Sequence, residues 1–339
     1  MIDPTKSAQD AGLKYVSDES PGYFRRKKGK GFVYLDEKGK LIKDKNKILR
    51  FKELVIPPAW QEVWICKTEN GHLQVTGRDA RGRKQYRYHE KWNLHRNENK
   101  FDHLARLCKK IPVLKKRIES DLNLKGMPQD KVLAAVIKVM LITQARVGNS
   151  AYADENESYG LTTLLNEHAS VKGETIQLSF RGKSGVEHDL AFKDEKLSTI
   201  IRRCQDLPGE ELFTYKNEVG EPVDVTSTSV NEYIRKVTGE DFTAKDLRTW
   251  GGTCKALEIL VQEQPEKLTE NKWRLRHVAI IKETAKYLHN TVAVCRKYYI
   301  HPKIFEADQK GSLHKLWKTC RKSMGLERQE TLLLKLLAH

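Results

Sequence analysis

Two arginines, a lysine and a tyrosine-bearing segment occupy places in this 339-residue chain where side chains can meet a substrate. Arg146 follows a long apolar run, Lys183 sits in the Gly-flanked stretch Arg181-Gly-Lys-Ser-Gly185, and Arg248 lies inside Lys245-Asp-Leu-Arg-Thr-Trp-Gly-Gly-Thr253. The fourth segment is Asn290-Thr-Val-Ala-Val-Cys-Arg-Lys-Tyr-Tyr-Ile-His-Pro302. Singly each has an ordinary explanation: an arginine offsets a helix dipole, a turn lysine is solvated, and a helical tyrosine is half core. As a set they supply what metal-free phosphoryl transfer requires. That chemistry needs a nucleophile, cationic donors for the non-bridging oxygens, and an acid for the leaving alkoxide. The chain has no G-x-x-x-x-G-K-[ST] loop, no G-x-G-x-x-G after a strand and no H-E-x-x-H pair, so nucleotide-driven and metal-dependent chemistry lack their usual signatures.

Elements must hold these residues in place. Leu133, Val136, Ile137, Met140 and Leu141 recur at helical spacing, with Pro128 near the first turn and Gly148 as the expected stop before the Arg146 region is left. Leu104, Leu107, Cys108 and Ile111 predict a helix before it. Thr175–Phe180 and Val186–Phe192 alternate as strands, so Lys183 is expected at a hairpin tip. Further helices are expected at Ser229-Val-Asn-Glu232, at Thr243-Ala-Lys-Asp246 and over Glu330–Leu337, the first two on capping-box patterns. Upstream, Phe24–Phe32 is a basic cluster leading to a small hairpin of Phe32–Leu35 and Leu41–Ile42 around Asp36–Gly39. Val63–Cys66, Leu73–Thr76 and Gln85–Tyr88 predict further strands. The expected architecture is α+β: a flexible extension over 1–20, a small β-rich N-terminal domain over 21–97, and a larger, mainly helical domain over 98–339.

Composition narrows the partner. Sixty-two Lys and Arg against 45 Asp and Glu leave a formal charge of +17 and a pI near 9.4, which favours a polyanion, most often nucleic acid. No apolar run approaches the ~20 residues of a membrane-spanning helix. The six cysteines are scattered without a C-x-x-C pair, and the first residues lack the basic and apolar regions of a secretory signal. The expectation is a cytoplasmic chain with free thiols, no structural zinc and no bound metal.

Five segments in order carry a resemblance: Gly77-Arg-Asp-Ala-Arg-Gly-Arg-Lys-Gln-Tyr-Arg-Tyr88, Glu155-Asn-Glu-Ser-Tyr-Gly-Leu161, Phe180-Arg-Gly-Lys183, Lys245-Asp-Leu-Arg-Thr249, and Asn290-Thr through Arg296-Lys-Tyr-Tyr299. With these the chain resembles the compact poxvirus and bacterial type IB DNA topoisomerases over nearly its whole length after residue 20. The resemblance implies a monomeric, nucleoid-associated enzyme closing as a clamp around duplex DNA. Such an enzyme relaxes positive and negative supercoils through a transient 3′-phosphotyrosyl bond, with no cofactor, ATP or obligatory metal. Carried onto matching positions, it implies Tyr299 as nucleophile, Arg146 and Arg248 on the scissile phosphate, Lys183 as general acid toward the 5′-oxygen, and Asn290 as a neutral phosphate donor. Gln85, Tyr86, Tyr88, Tyr152 and Lys245 are the expected DNA contacts.

The chain departs from the poxvirus pattern at three places. Asn290 stands where those enzymes carry a histidine, with His289 one position earlier; Tyr298 precedes Tyr299 where a small residue is usual; and Asn149 replaces a lysine. A phenol next door on a helix points roughly 100° away, so the two tyrosines cannot share one role. A tyrosine recombinase would share the arginine, lysine and tyrosine set. Recombinases, however, show His-x-x-Arg where this chain has Lys245-Asp-Leu-Arg248, and a helical module where this chain shows β patterning. A non-catalytic basic DNA-binding protein accounts for the charge but not for a lysine held on a glycine-flanked tip.

Overall fold

The computed structural model describes residues 4–29, 31–80, 82–150, 153, 157–263, 268–323 and 325–338. The chain divides into two compact units, residues 1–102 and 103–339. The first is built on a five-stranded antiparallel sheet of order β2-β1-β3-β4-β5, from β1 (Gly22–Lys28), β2 (Gly31–Leu35), β3 (Gln61–Cys66), β4 (Leu73–Arg78) and β5 (Lys84–Tyr88). Helices α1 (Pro4–Asp10) and α2 (Lys45–Glu53) accompany it. Two expectations are corrected here. The basic cluster is itself strand β1, paired with β2 from Phe24 opposite Leu35 to Lys28 opposite Gly31. The return at Leu41 makes only a single bridge to Leu35. In the N-terminal stretch Ala8 and Leu13 are buried with Trp92, and Lys14 bridges Gly71. Two or three apolar side chains suffice to anchor so short a segment, each buried one contributing on the order of 1.5–3 kcal/mol when large.

Helix α3 (Glu90–Asp121) contains the division between the units and begins well before the expected residue 98. In the second unit it is followed by α4 (Gln129–Thr143), a three-stranded sheet of β6 (Ala169–Lys172), β7 (Thr175–Gly182) and β8 (Val186–Lys193), and α5 (Glu195–Gln205). A small ribbon of β9 (Thr214–Lys216) and β10 (Pro222–Asp224) precedes α6 (Ser227–Thr238), α7 (Ala244–Leu260), α8 (Glu270–Tyr287) and α9 (Val292–Tyr298). Helices α10 (Lys303–Gln309), α11 (Ser312–Thr319) and α12 (Arg328–Leu337) complete it.

Helix α4 is the axis of this unit's core. From Lys131 to Met140 every residue but Lys138 is buried, so it is surrounded by core and not one-sided as its spacing predicted. Its two lysines survive there because each is satisfied. Lys131 donates to the Leu124 carbonyl at 2.7 Å, and Lys138 reaches Glu119 and Asp194 at 2.9 and 2.8 Å. Helix α6 starts earlier than expected, at a Thr226 cap whose reciprocal partner is Ser229, whereas α7 uses the anticipated Thr243 and Asp246 pair. All six cysteines are buried thiols. Among the described residues no helix is long and apolar enough to cross a membrane.

Candidate active site

Arg146 does not lie on α4. The helix stops at Thr143 because Gln144 takes a left-handed conformation (φ 55°) and returns its N–H to Met140. The strand-like run that follows is clamped by its backbone: Leu161 donates to the Arg146 carbonyl at 2.9 Å and Thr162 to the Val147 carbonyl at 2.7 Å. Glycine is required at this crossing, since a Cβ on Gly160 would come within 2.5 Å of the Gly148 Cα. The Arg146 guanidinium is thereby aimed at the turn between α8 and α9. It donates to the His289 carbonyl at 3.4 Å and to the Asn290 side-chain oxygen. A guanidinium can only donate, so the Asn290 amide must present its oxygen to Arg146 and its nitrogen elsewhere. That Nδ2 is buried and has no hydrogen-bond partner among the described residues.

Arg248 belongs to α7, whose Thr243 cap places Lys245 on the exposed side and Arg248 on the inner one. Arg248 is 4% exposed, donates from Nη2 to the Leu288 carbonyl at 2.7 Å, and lies with its Cζ 5.3 Å from the centre of the Tyr299 ring. Its buried Nε has no partner, and no carboxylate pairs with it, among the described residues. Burial pushes this guanidinium down to about 10; the Tyr299 phenol opposes the shift and Arg146 adds to it. Arg248 therefore still carries its charge at neutral pH.

The tyrosine segment is seated on the same helix. The Thr249 and Thr253 hydroxyls lie 3.4 Å from the carbonyl oxygens of Tyr298 and Tyr299, and a Cβ on Gly252 would come within 2.8 Å of the Tyr299 oxygen. Tyr298 is the last residue of α9, and Tyr299 is its C-cap, leaving the helical path at φ −126° and ψ 0°. Lys183 is held by β7 and β8, whose register runs to Gly182 opposite Val186; Ser184 and Gly185 turn the tip at φ 67° and 74°.

These elements converge. A cavity of about 450 Å³ is lined by Arg146, Lys183, Lys245, Arg248, Tyr159 and Tyr299. A second, of about 830 Å³, shares Arg146, Lys183 and Tyr299 and adds Asn290. Tyr298 lines neither; it is exposed, with the Lys297 ammonium 5.2 Å from its ring centre. The structure thus brings together Arg146, Lys183, Arg248, Asn290 and Tyr299 with Lys245 beside them. Lys282 and Lys286, an i, i+4 pair on α8, also line the second cavity and were not singled out from the sequence, where only that spacing could have marked them.

Three further expected DNA contacts, Gln85, Tyr86 and Tyr88, belong to the first unit. Tyr86 and Tyr88 share one face of β5, their rings stacked 6.1 Å apart, and Gln85 faces the other way and donates to Asp79 at 3.0 Å. Tyr86 is 49% exposed with Lys84 over its ring, whereas Tyr88 is half-buried among neighbours that include Trp92 and Leu73, so the former is the more accessible of the two. Tyr152 lies outside the described residues.

The chain is similar to known proteins over most of its length. The family described as eukaryotic DNA topoisomerase I, catalytic core, matches residues 85–323, and the family described as bacterial DNA topoisomerase IB, N-terminal domain, matches residues 31–79. DNA topoisomerase 1B of Acanthamoeba polyphaga mimivirus is 32% identical over 285 residues, 82% of this chain and 85% of that protein. DNA topoisomerase 1B of Vaccinia virus (strain Copenhagen) is 25% identical over 262 residues, 75% of this chain and 76% of the viral protein. With a family match across most of its length and a relative of this similarity, the chain belongs to the type IB DNA topoisomerases.

Proposed function

We propose that this chain relaxes supercoiled duplex DNA of either sign by cutting and resealing one strand without ATP or an obligatory metal ion. The Tyr299 phenol loses its proton to solvent as its oxygen attacks the scissile phosphorus, the P–O5′ bond breaks, and Lys183 gives the departing 5′-oxygen a proton. The 3′-phosphotyrosyl bond conserves the energy of the phosphodiester, so resealing is the reverse step after the free end has turned. Arg146, Arg248 and the Asn290 Nδ2–H₂ hold the non-bridging oxygens where negative charge gathers. Gln85, Tyr86, Tyr88, Tyr152 and Lys245 contact the duplex, and the enzyme acts as a cytoplasmic, nucleoid-associated monomer.

The observation that carries this reading is Arg248: a buried cation without a carboxylate, its Nε unpartnered among the described residues, standing against a tyrosine ring. An isolated buried charge is costly to a fold, and an arriving phosphate supplies the missing anion. Relaxation of plasmids of both supercoil signs in EDTA, without nucleotide, is the expected result. Activity that vanished on chelation and returned only with Mg²⁺ would overturn the mechanism. Affinity should also fall steeply with salt, by about 10³ or more between roughly 50 and 200 mM if six or more phosphates are neutralised.

Lys183→Ala is expected to slow cleavage by about 10² to 10⁴, the usual worth of a positioned acid. A substrate with sulfur in place of the scissile 5′-oxygen should recover most of that loss, because a thiolate leaves without a proton. Equal damage on both substrates would reduce Lys183 to a phosphate contact.

A further inference from the structure

His188 is a buried imidazole beside the catalytic cavity that the mechanism does not use. It lies on β8 opposite Phe180, is 4% exposed, and stacks on the Phe180 ring at 4.7 Å and 5°. Its other neighbours belong to the reaction centre. A Cβ on Gly182, the residue before Lys183, would come within 2.5 Å of the His188 Nε2, so the imidazole lies directly against the backbone that carries the lysine. The ring of His289 sits 4.4 Å from it, and the His289 carbonyl and the Asn290 oxygen are the acceptors of Arg146. His289 holds a left-handed conformation (φ 49°), uncommon for any residue but glycine, although histidine adopts it more readily than most. Glycine would be the easy choice at that turn, and only the ring makes the contact with His188.

We infer that His188 is a positioning residue, its ring joining the hairpin that carries Lys183 to the His289–Asn290 turn that receives Arg146. The inference rests on the roles proposed above for Lys183 and Arg146. The turn has anchors of its own: His289 and Asn290 donate to the Lys286 and Ala285 carbonyls at 3.0 and 2.9 Å, and Leu288 accepts from Arg248. On the hairpin side the His188 ring lies directly against Gly182, one residue from Lys183, whereas it reaches the phosphate donors through the ring of His289. Loss of the His188 ring therefore releases the lysine first and the phosphate donors little. Burial, with His289, Arg146 and Arg248 nearby, pushes His188 down to about 4, so at neutral pH the ring is uncharged and packs between the two arginines' neighbours without repelling them. Its Nδ1 has no hydrogen-bond partner among the described residues, which leaves shape as its contribution.

The test is single-turnover cleavage of two duplexes, one with oxygen and one with sulfur at the scissile 5′ position, by wild type, Lys183→Ala, His188→Ala, His289→Gly and the double variant of the two histidines. His188→Ala should be about 10- to 100-fold slower on the oxygen substrate, the scale of a misplacement near 1 Å, and recover most of that on sulfur. Noncovalent affinity, measured in a Tyr299→Phe background, should stay within a few-fold. The double variant should be no slower than the worse single one, since both remove one contact. If His188→Ala were equally slow on both substrates while sulfur rescued Lys183→Ala, the inference would be wrong and the proposed mechanism would stand. If sulfur failed to rescue Lys183→Ala itself, the acid assignment would fall and the inference with it. Should His188→Ala not fold, His289→Gly, which keeps the turn's backbone freedom, decides by the same comparison.

Discussion

Tyr299→Phe is expected to bind duplex DNA with nearly wild-type affinity and to form no covalent complex, while Tyr298→Phe keeps the complex. The two side chains differ in place, not in chemistry. Tyr299 is the cap residue beyond α9, lines both cavities shared with Arg146 and Lys183, and has Arg248 5.3 Å from its ring centre. Tyr298 is directed toward Lys297 and solvent. The buried guanidinium beside the phenol is placed to meet the negative charge that gathers as attack proceeds. Removing one hydroxyl takes away the proposed nucleophile and leaves the cations proposed to hold phosphate. Detergent-stopped reactions on radiolabelled duplex, followed by proteolysis and mapping of the DNA-linked peptide, decide the matter: an adduct on Tyr298 would overturn the register and with it the assignment of Asn290.

Arg248→Met is expected to slow cleavage by on the order of 10³ to 10⁵, the range seen when an arginine that meets transferring phosphoryl charge is lost. The same substitution should raise thermal stability in the absence of DNA. The structure explains both effects by one fact: the guanidinium is buried with a single carbonyl contact at 2.7 Å and no carboxylate among the described residues. Without DNA the desolvated charge weakens the fold, and an apolar side chain of similar length fills the site without that cost. On the proposed mechanism the scissile phosphate supplies that charge with an anion. Arg248→Lys should recover little, because a point charge cannot hold the carbonyl and a phosphate oxygen in one plane. Melting curves and single-turnover rates check the pair; a variant that melted lower while cleaving within about tenfold of wild type would contradict the account.

Short-range rules account for much of what the sequence made legible. Period-two alternation located the β7–β8 hairpin and put Lys183 at its tip, and the Thr243 and Asp246 pair marked the start of α7 and hence the position of Arg248 along it. The same rules misplaced the end of α4. Gly148 was the expected stop, yet the helix breaks at Gln144, whose left-handed turn is tied to tertiary contact: a side chain on Gly251 would run into it at 2.5 Å. In the N-terminal stretch, whose polar composition predicts mobility, the burial of Ala8 and Leu13 depends on Trp92 of α3, about eighty residues away in the chain.

Residue types, their order along the chain and the family to which they belong were determined by the sequence alone. Which tyrosine meets the cavity, which way the Asn290 amide is turned, and that Arg248 is buried without a counter-ion among the described residues were decided by the tertiary structure. Arg146 meets His289 across 143 positions and Arg248 meets Leu288 across 40, distances along the chain at which neither period nor capping carries information. Burial and hydrogen-bond partnership are properties of packing between elements, and they exist only once α4, α7, the Lys183 hairpin and the α8–α9 turn have closed on one another.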